Sequence, residues 1–246
     1  MNGDAVLKGV ALACVALCAG SAFLAPCLNA QTPGPDAEAQ AAADSAMMAG
    51  LRTILVEDFS TGAATWKRQK LDRRETSYSV VPSGPDSALE GVASNAAAGL
   101  VRIVNAPRTG KGIVSWRWRT DASLARNDRE REKSGDDFVG RIFLTFGGDP
   151  FTQGTRALVY VWAGQEPVGS VFANPYISDV MTIVLRSGNA DAGQWVVEER
   201  DYVADFQEAF GEPAPPLTAI AILVDSDDTG ATAVARFDDF RIRVAP

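Results

Sequence analysis

Histidine is absent from this chain of 246 residues. That excludes Ser-His-Asp and Cys-His triads, His-rich zinc sites and haem held through His. Any chemistry rests on carboxylates, Tyr, Lys, Arg or a bound ion. Cysteine is nearly absent. Cys14, Cys18 and Cys27 are the only three, and all lie near the N-terminus. The rest of the chain has no disulfide, no thiolate metal site and no cysteine nucleophile. Basic charge is scarce, 23 Lys and Arg against 31 Asp and Glu, for a net charge of −8. Phosphate binding needs the opposite balance, so nucleic acid is not an expected partner. The acidity suits solubility outside the cytoplasm, or a hard cation.

What is present at the N-terminus reads as a secretory signal over residues 1–30. Lys8 forms a thin positive region, weakened by Asp4, and "GVALACVALCAGSAFLAPCLNA" follows as an apolar stretch. It is short and rich in Ala and Gly for a membrane span, so the expectation is removal, after Ala22 or Ala30, and no span in the mature chain, with an uncleaved N-terminal anchor as the alternative. Leu24-Ala25-Pro26-Cys27 resembles a bacterial lipobox, with Pro26 where a small residue belongs, so a lipid anchor on Cys27 is the minor alternative. Residues 31–50, "QTPGPDAEAQAAADSAMMAG", read as a flexible linker. The expected location is periplasmic or extracellular. Residues 51–246 suffice for one domain with a real core.

From Leu51 the pattern is mostly strands. "RTILVEDF", "TSYSVVPSG", "AGLVRIVN", "GIVSWRWRTD", "DFVGRIFLTF", "RALVYVWAG", "VMTIVLRSG", "QWVVEERDYV", "LTAIAILVDS" and "AVARFDDFRIRV" alternate or are β-branched, with Gly, Pro, Asn and Asp between them. Residues 123–135 are strongly charged and read as a solvated loop or short helix. In 202–216, Val203, Phe206 and Phe210 fall at helical spacing, with Gly211 as a stop. The fold class that follows is all-β: an antiparallel β-sandwich of jelly-roll type, with one short helix before the last two strands.

The ordered string "WRWRTD", "KSGDDFVGRIFLTF", "LVYVWAG", "NPYISDVMTIVLRSG", "WVVEERDYVADFQEAFGE" and "AILVDSDDTG", between "EDFSTG…W" and "FDDFRI", resembles the domain of unknown function 3047 family of exported bacterial proteins. It covers residues 54–244. The resemblance implies one exported β domain and no particular reaction. A fainter likeness to carbohydrate-binding jelly rolls rests on the acidic-Phe opening, the Trp after it and the Asp-rich last strand, and is analogy alone.

Three constellations carry candidate chemistry. Asp225, Asp227 and Thr229 fall at alternate positions before Gly230, like the first half of a calcium loop, although Arg236 stands where an EF-hand has its bidentate Glu. The competing reading is a β-hairpin whose Asp side chains cap the turn. "WRWR" puts Trp116 and Trp118 on one face, either filling the core or forming a sugar platform. Alternation puts Val139, Arg141 and Phe143 on one face of their strand and Phe138, Ile142 and Leu144 on the other. A buried Arg141 needs a carboxylate from Asp136, Asp137, Glu198, Asp201 or Asp205. The expected function is non-catalytic binding of a glycan or other envelope ligand, with structural calcium. The candidate ligand residues are Arg117, Arg119, Asp137, Arg141, Tyr160 and Glu198, and the candidate metal ligands Asp225, Asp227 and Thr229. Two alternatives stand beside it. One is a glycosidase using Asp137 with Glu198 or Asp201, or a lyase using Tyr160 and Arg141. The other is a structural envelope protein that docks a partner through a sheet edge.

Overall fold

The computed structural model describes residues 48, 50–148 and 155–246. The expected signal segment, the Cys27 anchor and most of the linker lie outside these residues. In chain order the strands are β1 (Arg52–Glu57), β2 (Lys67–Lys70), β3 (Ser77–Ser83), β4 (Asp86–Ser94), β5 (Ala97–Ile103), β6 (Gly112–Arg119), β7 (Gly140–Phe146), β8 (Arg156–Ala163), β9 (Val171–Ala173), β10 (Val180–Ser187), β11 (Val196–Asp201), β12 (Leu217–Asp225) and β13 (Thr232–Val244). One helix, α1 (Tyr202–Phe210), separates β11 from β12.

The strands form a β-sandwich. The smaller sheet runs β11-β6-β13-β4-β3, with β1 also paired to β13. The larger runs β2-β5-β12-β7-β8-β10-β9. All pairings are antiparallel except β8 with β10, which is parallel. β13 carries β6 along one flank and β4 then β1 along the other. The change of partner falls at a register shift after Asp238, where Asp239 adopts a positive φ of 55°. An extra residue of this kind bends the strand and lets one flank serve two neighbours.

Alternation decides what lies between the sheets. Trp116 and Trp118 on β6 point inward, as does Tyr160 with Trp162 on β8. Trp116 stacks on Tyr160 at 5.4 Å, and Trp118 meets Trp162 edge-on at 5.7 Å. The paired Trp residues are therefore core, and no sugar platform. Helix α1 starts where the Asp201 carboxylate accepts the N–H groups of Val203 and Ala204, a standard N-cap. It stops at Gly211, whose φ of 72° is the left-handed cap favouring Gly. Phe206 packs on Phe146 at 4.7 Å, closing one end of the core.

The "EDF…W" opening acquires a physical reason. Glu57 accepts hydrogen bonds from Phe59 N (3.1 Å), Thr65 Oγ1 (3.3 Å) and Trp66 Nε1 (3.0 Å), and pairs with Arg102 of the opposite sheet. Phe59 sits at φ 53°, strained for a bulky residue, and is fully buried against Trp66 and Phe240.

Two expectations need correction. Residues 123–135 contain one short 3-10 turn, Lys133–Gly135, and are not simply a solvated loop. Glu130 is buried and accepts the N–H groups of Gly164, Gln165 and Glu166, while the Arg131 guanidinium lies over the Phe172 ring. This segment covers part of the outer face of the larger sheet. The facing of Phe138 and Val139 is also exchanged. β7 begins only at Gly140, so strand alternation does not reach them, and Phe138 joins Val159, Val161 and Phe172 on the outer face.

Candidate functional site

The outer face of the larger sheet carries the candidate site. Along β7, Arg141, Phe143 and Thr145 face outward, opposite Leu223, Ala221 and Ala219 of β12. Gly99 and Val101 of β5 extend the same rows, and Gln69 of β2 ends one of them. Beyond β8 the face is covered by residues 123–139. The remainder is an open groove of about 830 Å³. Its floor is Gly99, Val101, Leu223, Ala221 and Phe143. Its walls are Leu71 on one side and Tyr176 to Val180 on the other. Leu71, Tyr176 and Ile177 are each more than half exposed.

At the end of the groove, beside Leu223, lies a buried charge cluster. The Arg141 guanidinium is buried between two carboxylates. It meets Asp225 at 2.6 and 3.0 Å and Asp136 Oδ1 at 3.2 Å, donates to the Asp136 carbonyl, and lies 4.6 Å from the Phe138 ring centre. Asp225 also accepts Phe138 N at 3.1 Å. Of the partners expected for Arg141, Asp136 is present. Asp225 was missed, because the acidic run suggested a turn or an ion and not a return to the sheet. Asp225 continues the outward row of Leu223, and that parity was the available signal.

Residues 226–231 do not form a hairpin turn, since β12 and β13 belong to different sheets. They form a crossover, and its cap comes from elsewhere. Asp137 accepts Thr229 N (2.6 Å), Thr229 Oγ1 (2.5 Å) and Asp228 N (3.3 Å). Carboxylate oxygens of Asp137, Asp225 and Asp227 lie within 4.8 Å of one another. Oxygens on opposite sides of one calcium ion are about 5 Å apart, so this cluster is placed to hold a metal. Thr229 donates its hydroxyl to Asp137, one of the three carboxylates.

The cluster holds Asp136, Asp137, Asp225, Asp227 and Asp228 against one buried cation. Burial pushes the Asp225 carboxyl up to about 8; Arg141 pulls it down and Asp137 and Asp136 push it up again. Burial likewise raises Asp227 and Asp228. Between about pH 4 and pH 8 these raised carboxyls take up protons more readily in the folded chain than in the unfolded one. Stability is therefore greatest at the low end of this window and is lost as pH rises. Asp58 and Asp72, which are shifted down, titrate below it. With chelator present, the urea midpoint is expected to fall from pH 5 to pH 8. A rising midpoint would mean that Arg141 keeps Asp225 ionised throughout.

The other candidate residues do not converge here. Arg117 and Arg119 face outward from the smaller sheet, Arg117 bound to Asp238 and Arg119 to Asp121. Tyr160 faces the interior of the sandwich and donates to Asp205 (2.7 Å), which Arg200 also holds. Glu198 accepts Trp118 Nε1 (3.1 Å) and pairs with Arg186. Tyr160 and Arg141 thus lie on opposite faces of one sheet, so the lyase pair is not assembled. Asp137 is bonded into the crossover, while Glu198 and Asp201 are engaged on or beside β11, so the glycosidase pairs are not assembled either. Sequence reasoning missed the groove wall. Tyr176 Oη lies 2.6 Å from Asp228 Oδ1 and 2.9 Å from Lys133 O. Asn174 donates to Asp136 and accepts Tyr176 N and Ile177 N. The quoted "NPYISD" contained the signal: an Asn-Pro turn carrying two large side chains without strand alternation.

A sequence model of the family described as "Protein of unknown function (DUF3047)" matches residues 64–241. No curated protein matches the chain. Among solved structures, the enzymatically active domain of tailspike protein 4 from bacteriophage CBA120 is 6% identical with a TM-score of 0.43, over 75% of this chain and only 20% of that one. A family 11 carbohydrate-binding module from a cellulosomal cellulase of Clostridium thermocellum is 11% identical, TM-score 0.43, over 80% and 95%. The K3 cleaved adhesin domain of Lys-gingipain from Porphyromonas gingivalis is 13% identical, TM-score 0.40, over 78% and 98%. Scores this low establish no shared function. No helix among the described residues is long and apolar enough to cross a membrane.

Proposed function

The chain belongs to the family described as "Protein of unknown function (DUF3047)", whose name carries no reaction, and from its groove we propose that it is an exported, non-catalytic domain binding a glycan. Export rests on the N-terminal sequence. Tyr176 carries the ligand assignment. It is 51% exposed on the groove wall, yet its hydroxyl is held by Asp228 and Lys133 O and its backbone by Asn174. A ring fixed before binding loses little entropy when a sugar face stacks on it. The groove volume is within the range of ligand sites. A glycosidase places two carboxylates across the scissile bond, whereas Asp179 is the one carboxylate among the described lining residues. Exposed Leu71 and Ile177 favour a second reading, an apolar protein segment in the same groove.

Affinity electrophoresis in soluble polysaccharides tests the glycan reading. Tyr176→Ala is expected to weaken binding about two- to twelvefold, the roughly 0.5–1.5 kcal/mol of an aromatic contact, with Tyr176→Phe, which keeps the ring but frees it from Asp228 and Lys133 O, in between. Equal mobility of parent and Tyr176→Ala in every polysaccharide would sink it and leave the protein-partner reading.

We further assign calcium to the Asp137, Asp225 and Asp227 cluster, because hard carboxylate oxygens at this spacing suit it. Calcium at a hundred times its Kd adds about 2.7 kcal/mol. For a domain of this size that is roughly 5–10 °C in thermal midpoint. The shift is expected in CaCl₂ against EGTA and is expected to vanish in Asp227→Asn. No shift in the parent chain would remove the ion from this account.

A further inference from the structure

We propose that the groove selects uncharged glycans and rejects uronate-bearing or sulfated ones, an inference that rests on the glycan reading above. The lining residues include no Lys or Arg among those described, and their single charged side chain is Asp179. Three of the neighbouring cations are already paired with carboxylates. Arg141, beside Leu223, is enclosed by Asp225 and Asp136. Arg156, next in sequence to the lining residue Ala157, pairs with Glu212 and lies over the Phe210 ring. Lys70, next to Gln69, pairs with Glu75. Lys133 sits 5.2 Å from the centre of the Tyr176 ring, and Asp228 meets the hydroxyl of that same ring.

The one charged side chain among the described lining residues is therefore negative, Asp179 on the wall. A ligand carboxylate or sulfate entering the groove would lose hydration with no Lys or Arg among the described lining residues to receive it, and would meet the like charge of Asp179. An uncharged sugar loses nothing to that charge. Its hydroxyls find Gln69, Thr145 and Ser178 along the walls and floor, and its apolar faces find Tyr176, Val101 and Leu223.

The test runs the full chain through gels containing a mixed-linked β-glucan or a galactan, and through gels containing alginate or polygalacturonate, at low and moderate salt. Retardation by at least one uncharged polysaccharide, with affinity for the anionic ones at least tenfold weaker, is the expected result. Asp179→Lys is expected to gain at least tenfold on the anionic gels at low salt relative to its own binding of the uncharged ones. Anionic polymers bound as tightly as neutral ones by the parent chain would overturn the selectivity and leave the glycan reading intact. Binding to neither class would overturn the glycan reading itself, and the selectivity with it.

Discussion

Arg141→Ala is expected to destabilise the domain by about 3–5 kcal/mol, the usual consequence of removing one partner from a buried ion pair. In thermal terms that is a fall on the order of 10 °C for a domain of this size. The reason is what remains. Asp225 and Asp136 would stay buried with Asp137 and Asp227 beside them and no guanidinium between. The Phe138 ring would lose the cation on its face, and the outer cluster around Phe138 would lose part of its packing. The pair itself need not be strongly stabilising, because desolvation offsets much of the attraction. Arg141→Met with Asp225→Asn removes both charges and is expected to recover part of the loss, giving a coupling on the order of 1–3 kcal/mol. Purified Arg141→Ala within about 1 kcal/mol of the parent would show that the guanidinium is not held in the cluster.

Glu57→Ala comes second, at about 3 kcal/mol. One carboxylate serves Phe59 N, Thr65, Trp66 Nε1 and Arg102. Losing it strands buried donors, each at about 1–3 kcal/mol, with water recovering part. It also releases Phe59 from a backbone conformation at φ 53° that its neighbours must enforce. Glu57→Gln keeps the shape and one acceptor oxygen, so roughly half the loss is expected. Urea unfolding decides it: the midpoint should fall with an unchanged slope. A midpoint equal to the parent's would mean that Phe59 holds its turn unaided.

How far the sequence speaks depends on whether a feature is local. Strands with clean alternation, such as β6, β8 and β12, were readable because burial on one face imposes a period of two. Helix α1 was readable from its spacing and Gly211. Three strands were not. Lys67–Lys70 is wholly polar, Asp86–Ser94 is rich in small residues, and Val171–Ala173 is too short for a pattern. The candidate site was legible only in pieces. Its acidic run was visible, but Asp137 reaches it from 88 residues before Asp225, from outside any strand. Nothing in spacing announces such a meeting. The inward turn of Tyr160 and Glu198 could be read only once the faces of β8 and β11 were known.

The central position of β12 and β13 bears on the order in which the domain can be built. β12 joins β5 to β7 in the larger sheet, and β13 joins β6 to β4 in the smaller. Both follow every other strand in the chain. A nascent polypeptide that has reached Pro216 therefore holds each sheet in two pieces, β2-β5 apart from β7-β8-β10-β9 and β11-β6 apart from β4-β3, without the strands that join them. Their inner faces have no partner to bury them. Folding must wait for the last strands of the domain, since long-range pairing yields its stabilisation only after the intervening chain has been ordered.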